Sequence, residues 1–104
     1  MINIVKRGNR VKIEGHTKAE VCAAISTIMY TCYNIITEYD PRAIELKDSL
    51  ELGKDYDNVE IILRRNDKNT APVWKVMCLE FEKVAEEESQ SVTYHDYDKE
   101  KDTD

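Results

Sequence analysis

Residues 10–26 read Arg10-Val11-Lys12-Ile13-Glu14-Gly15-His16-Thr17-Lys18-Ala19-Glu20-Val21-Cys22-Ala23-Ala24-Ile25-Ser26, and the hydrophobic period changes inside them. Arg10 to Glu14 alternates polar and apolar residues with the period of two that suits a half-buried strand. From Val21 onward the apolar positions Val21, Ile25, Ile28, Cys32, Ile35 and Tyr39 recur in steps of three and four, the core stripe of a long amphipathic helix. Between the two patterns, Thr17 with Glu20 three positions later has the form of a capping box, which starts the helix between Thr17 and Glu20. Asp40-Pro41 ends it, because proline disfavours helical backbone in the residue before it.

Toward the amino end, Ile2 to Lys6 and Arg10 to Glu14 flank Arg7-Gly8-Asn9, whose glycine and asparagine tolerate positive φ, so these strands form a hairpin. Toward the carboxyl end, Ile44 to Leu52 is strand-like but interrupted at Lys47-Asp48-Ser49, where a bulge or a slipped register would fit. Gly53 to Asn58 is a polar turn, and Val59 to Leu63 is a β-branched run that pairs back as a second hairpin. Asn66 to Thr70 has loop composition. Pro72 suits the first turn of a second helix, whose stripe is Val73, Val76, Met77, Phe81, Val84 and Ala85. Ser91 to Tyr97 has the composition of a final strand. The fold class is therefore α+β, a mostly antiparallel sheet of four to five strands with two helices on one face. Residues 1–97 make one domain, and 98–104 read as an acidic disordered tail.

At 104 residues the chain supports one hydrophobic core. Fifteen basic against 21 acidic side chains give a net charge of −6, which repels phosphate backbones and argues against a nucleic-acid partner. The basic cluster Lys6, Arg7, Arg10 and Lys12 reads as a solvated strand edge. No uninterrupted apolar run approaches the roughly 20 residues of a membrane span. The first residues lack the order of a signal peptide, so no membrane association and a cytoplasmic location are expected. The three cysteines show no CxxC or other metal-ligand spacing, and reduced thiols are expected. His95 with Asp96 and Asp98 reads as solvated polar residues, Trp74 lacks the basic interleaving that base stacking needs, and no metal or cofactor is expected.

The segment that decides the fold also carries the chemistry. Gly15-His16 closes a strand and Cys22 falls in an early turn of a helix. Helix N-terminal amides favour a thiolate there, and a nearby imidazole can take the thiol proton. Steps of about 100° place Cys22, Ser26, Met29 and Tyr33 on a stripe beside the core stripe, so Cys22 sits at the core's edge. Cys32 lies within the core stripe, and Cys78, beside Met77 and near Phe81, reads as packing. Spacing alone favours the plain alternative, a small residue among helical alanines.

Gly15-His16 with Val21-Cys22-Ala23-Ala24-Ile25-Ser26 resembles the paired motif of the ribosomal-processing cysteine proteases, the Prp family, and the element order is similar over nearly the whole chain. That resemblance implies a cytoplasmic cysteine endopeptidase, from a bacterium or a phage. Its members remove an amino-terminal extension from a large-ribosomal-subunit protein, cutting after an aromatic pair. By the same resemblance Cys22 is the nucleophile, His16 the general base, and Ser26 a supporting hydrogen-bonding serine beside Gly15. The protein is expected to be a homodimer with a protein substrate, Met29 and Tyr33 facing either substrate or the second subunit, and backbone amides around Cys22 forming the oxyanion hole. Here five residues separate His16 from Cys22, a shorter connection than the family's, and Ala19 stands where the family carries an aspartate. That short loop supports a different class of reading, a degenerate member that binds a protein without cutting it.

Overall fold

The computed structural model describes residues 1–48 and 58–98. Its elements run β1 (Ile2–Arg7), β2 (Arg10–Gly15), α1 (Ala19–Tyr39), β3 (Ile44–Asp48), β4 (Val59–Leu63), α2 (Ala71–Glu87) and β5 (Val92–Asp96). The five strands lie in the order β3-β4-β2-β1-β5, every pair antiparallel except β1 with β5. The α+β class holds, and the strand-like tail of the sequence is the fifth strand. Of the expected strand Ile44 to Leu52, residues 49–52 lie outside the described residues, as does most of the turn that follows.

Register follows from the first hairpin. Arg7 pairs with Arg10, leaving Gly8 and Asn9 as a two-residue turn, and only Gly8 takes positive φ (61°). Asn9 instead ties the turn to the sheet: its side-chain amide donates to the Leu63 carbonyl oxygen at 2.6 Å, and its own carbonyl accepts from the Leu63 amide at 2.8 Å. With that register fixed, Ile2, Ile4, Val11, Ile13, Val59, Ile61 and Leu63 join Trp74, Met77 and Phe81 of α2 and the buried stripe of α1 in one core. Ile62 falls on the other face, between Arg10 and Glu45 in register, and is nonetheless buried.

The phase of α1 differs from the expected stripe. Its buried residues are Val21, Ile25, Met29, Cys32 and Ile36, whereas Ile35 and Tyr39 are 45% and 63% exposed. A period near 3.6 carries the stripe from Ile25 to Met29, and a pattern that steps to Ile28 and then Ile35 drifts off it by one residue. Met29, expected to face substrate or a second subunit, is therefore a core residue, 1% exposed. Tyr33 is partly buried against the core. In α2, Trp74 and Cys78 are buried while Val76 is exposed, because Trp74, Met77, Cys78 and Phe81 form the inward stripe. By length and composition alone α1 could cross a membrane; its apolar stripe is instead occupied by the core.

The capping box does not form. Lys18 is the N-cap of α1, with no side-chain cap bond. The start of α2 is held differently: Asp67 Oδ1 accepts from the Asn69 amide at 2.8 Å and the Thr70 amide at 3.1 Å. Buried Thr70 donates through Oγ1 to the Arg65 carbonyl at 2.6 Å, and Pro72 occupies the first turn. The basic cluster lies on β1, β2 and their turn, which are inside the sheet and not at the expected edge, and three of its four members are ion-paired. Lys6 bonds Asp98 at 2.7 Å, Arg10 pairs with Glu60 at 3.2 Å and Lys12 with Glu14 at 2.7 Å, while Arg7 lies 4.6 Å over the Tyr97 ring. Asp98, assigned by composition to the tail, also accepts from the Gly8 amide at 2.8 Å.

Candidate functional site

Gly15 ends β2 with φ of 101°, a conformation that favours glycine. A Cβ there would fall within contact distance of the Met1 carbonyl oxygen and 3.2 Å from its carbon, so no side chain fits without moving the backbone of residue 1. The Met1 nitrogen donates to the His16 carbonyl oxygen at 2.6 Å, and the Ile2 amide donates to the Ser91 carbonyl at 2.8 Å. This clamp turns the chain out of the sheet, and His16 emerges exposed. Sequence reasoning missed the contribution of residues 1 and 2. The Ile2 to Gly15 pairing follows from the two-residue turn, so counting back through the hairpin would have found it.

Three residues later α1 begins, so Cys22 is its fourth residue, at the end of the first turn. The Val21 and Cys22 amides both donate to the Lys18 carbonyl oxygen, at 3.1 and 3.0 Å. The Cys22 amide is thus taken up by the helix, and of the amides around Cys22 it is the first ones of α1, those of Ala19 and Glu20, that a helix leaves without intrahelical partners. The thiol of Cys22 donates to the Thr17 carbonyl oxygen at 3.6 Å. Lys18 lies 4.0 Å from Glu88 at the end of α2, which ties the connection to the second helix.

Cys22 is partly exposed, whereas Cys32 and Cys78 are each 7% exposed in the core. Burial raises both buried thiols, Cys78 to about 11, so neither supplies a thiolate near neutral pH. Beside Cys22 lies a small apolar hollow. Its partly exposed rim is Gly15, Cys22 and Ser26, and its buried wall is Ile2, Ile13, Ile25, Met29 and Val59. The structure thus brings together Gly15, Cys22, Ser26 and Met29. His16 is outside that lining, at the exposed end of β2, and Tyr33 is outside it as well. His95 is exposed on β5, and Asp96 and Asp98 are engaged with Lys6, so the three form no cluster of metal ligands.

A search of curated proteins finds no sequence relative. Solved structures share the fold at low identity. The Streptococcus mutans protein SMU.848 superposes with a TM-score of 0.72 at 19% identity, over 91% of this chain and 90% of that one. The essential ribosomal processing protease Prp of Staphylococcus aureus, with a covalently linked product peptide, gives 0.73 at 14% identity, and with a substrate peptide 0.72 at 13%. Both S. aureus matches cover 91% of this chain and 96% of the other. A family model, that of the cysteine protease Prp, matches residues 1–93. With a cysteine at the first turn of α1 and a glycine-specific turn leading into His16, the chain belongs to the Prp cysteine protease family.

Proposed function

We propose that this protein is a cysteine endopeptidase that cuts a specific protein substrate, with Cys22 as nucleophile and His16 as general base. The observation that carries the reading is that, in a chain whose residues 1–93 match the Prp family, Cys22 is partly exposed at the end of the first turn of α1 while the other two cysteines are buried. In this mechanism the Cys22 thiol leaves the Thr17 carbonyl and passes its proton to the His16 imidazole. The thiolate then attacks the scissile carbonyl carbon. The resulting oxyanion is met by the first amides of α1, those of Ala19 and Glu20. Collapse of the tetrahedral adduct expels the amine, which takes the proton back from His16, and water hydrolyses the thioester. Ser26, on the rim of the hollow beside Cys22, supports the site by hydrogen bonding, and Gly15 positions His16.

The substrate in this reading carries an amino-terminal extension, as on a large-ribosomal-subunit protein or a phage structural protein, and the enzyme acts in the cytoplasm as a homodimer. The S. aureus structures with substrate and product peptides support a protein substrate. A second reading, a binding module without activity, is favoured by the thiol's engagement with the Thr17 carbonyl and by the position of His16 outside the hollow. Affinity capture with wild type and Cys22→Ala separates the two. An intact partner held only by the variant supports the protease, and equal recovery of the intact partner by both supports the binding module.

A further inference from the structure

We propose that the groove between α2 and the edge strand β5 binds an extended, basic segment of a partner protein, which adds to the sheet as a further strand beside β5. The groove is separate from the hollow at Cys22, and its use does not depend on peptide cleavage.

The backbone of β5 is open to such a partner. Among the described residues β5 pairs only with β1, in unbroken parallel register from Val92 to Asp96. The Ile2 amide donates to the Ser91 carbonyl oxygen. Alternation along the strand therefore gives the amides and carbonyls of Thr93 and His95 to β1 and turns those of Tyr94 toward the open edge. Sheet edges are commonly guarded by lysine, proline or a bulge. Val92-Thr93-Tyr94-His95-Asp96 carries none of the three.

The side chains beside that edge define what fits. Lys75, Cys78, Leu79, Glu82, Ala85 and Glu86 recur at steps of three and four along one flank of α2, and with Tyr94 they line a groove that follows β5. Its two halves differ. Toward Asp96 the walls are Trp74, Cys78, Leu79 and Tyr94 around about 300 Å³, more than the about 150 Å³ that holds a benzene ring. Leu79 is 50% exposed there, and Lys6 lies 3.9 Å from Asp96 at the end of the groove. Toward Val92 the lining carries the carboxylates of Glu82 and Glu86, and among the described residues no lysine or arginine lines that half. A helix flanking an edge strand is a geometry in which main-chain hydrogen bonds give an added strand its affinity and alternate side chains give it specificity. A second copy paired through its own β5 would present the same carboxylates, whereas a basic segment complements them. The occupant therefore carries one large apolar side chain and, two and four residues away on the same face, lysine or arginine.

The probe is the peptide acetyl-Thr-Phe-Thr-Lys-Thr-Lys-Thr-amide, titrated into the Cys22→Ala protein so that no cleavage intervenes. Trp74, the single tryptophan, reports occupancy by fluorescence, and hydrogen exchange at the Tyr94 amide reports strand addition. Saturating peptide is expected to change Trp74 emission and to slow Tyr94 exchange at least about tenfold. Leu79→Glu, at a half-exposed position that tolerates the change, weakens binding at least about tenfold, the scale for loss of an anchor contact. Glu82→Lys combined with Glu86→Lys reverses the preference between the lysine peptide and its glutamate counterpart. Unchanged Tyr94 exchange at about 1 mM peptide, equal affinity of the wild-type groove for the lysine and glutamate peptides, or undiminished affinity in folded Leu79→Glu overturns the proposal. Protection of the Tyr94 amide without peptide, lost on dilution to a monomer, assigns the edge to a second copy and overturns it as well.

Discussion

Replacing Gly15 by alanine, with Gly8→Ala as its control, tests whether the turn that delivers His16 depends on the absence of a side chain. Both glycines have positive φ, 61° at Gly8 and 101° at Gly15, but nothing lies within 4 Å of a Cβ added at Gly8. Gly8→Ala therefore carries only the conformational cost, about 1–2 kcal/mol. At Gly15 the backbone cost is about 1–3 kcal/mol, and the new methyl group also meets the Met1 backbone, which has no flexible end to give way. Relief of that clash moves residue 1 and breaks the 2.6 Å bond from its nitrogen to the His16 carbonyl, a further loss of about 1 kcal/mol. The total is about 2–4 kcal/mol. For a domain of this size 1 kcal/mol shifts Tm by about 4–8 °C, so Gly15→Ala lowers Tm by roughly 8–32 °C and Gly8→Ala by roughly half as much. Thermal unfolding followed by circular dichroism reads both, and chloromethyl ketone labelling of Cys22 below the lowered Tm reads the site. Equal Tm losses in the two variants, or full Cys22 labelling in folded Gly15→Ala, would refute the reasoning.

Three further outcomes can be checked with standard assays. Burial foremost raises the Cys78 thiol to about 11, against the opposing pull of Lys6, so at pH 8 iodoacetamide labels Cys22 in the native protein and leaves Cys78 unlabelled until denaturant is added. Prompt native labelling of Cys78 would contradict the packing of α2 on β5. Thr70→Val removes a 2% exposed hydroxyl that donates to the Arg65 carbonyl and accepts from the Asp67 amide at 3.0 Å, and is expected to cost about 1–3 kcal/mol in urea unfolding. A loss near zero would show that the start of α2 does not depend on it. The Asn69 amide foremost, with that of Thr70, holds the Asp67 carboxyl below its ordinary range. A folded-state value depressed below the unfolded one contributes stability that is complete above about pH 4 and lost as pH falls through the folded value. The urea midpoint of wild type therefore falls on acidification in part through Asp67, and Asp67→Asn shows a smaller fall over the same range.

Much of the architecture was legible because local and long-range preferences agree. The alternation of Arg10 to Glu14, the glycine at 8, Pro41 and Pro72 each determine an element end by a backbone rule, and β4 runs over the residues its β-branched composition marks out. The phase of α1 was not legible at its far end, since Ile28, Ile35 and Tyr39 are as apolar as the residues that are buried, and only packing against α2 and the sheet selects Met29 and Ile36. That choice moves Met29 from an expected outer surface to the wall of the hollow. Thr17 and Glu20 satisfy the pattern of a capping box, yet Lys18 is the cap. Cys22 at the core's edge and the burial of Cys32 and Cys78 were readable from helical geometry. The Ile2 to Gly15 pairing was implicit in the two-residue turn, whereas the bond from the Met1 nitrogen to the His16 carbonyl depends on the backbone geometry after Gly15 and was not legible.

The most direct test of a His16-activated Cys22 is the rate of iodoacetamide alkylation at Cys22, measured site by site at pH 6 in wild type and in His16→Ala, with N-acetylcysteine as reference. Thiolate fraction governs this rate, so an imidazole acting on the thiol makes it fast in acid. The account predicts that wild-type Cys22 reacts at least about tenfold faster than the reference, and that His16→Ala removes most of this advantage, as a general base worth about 10²–10⁴ in rate requires. Cys22 reacting no faster than N-acetylcysteine, with the same rate in both proteins, would contradict the protease mechanism and leave the binding module as the reading of this fold.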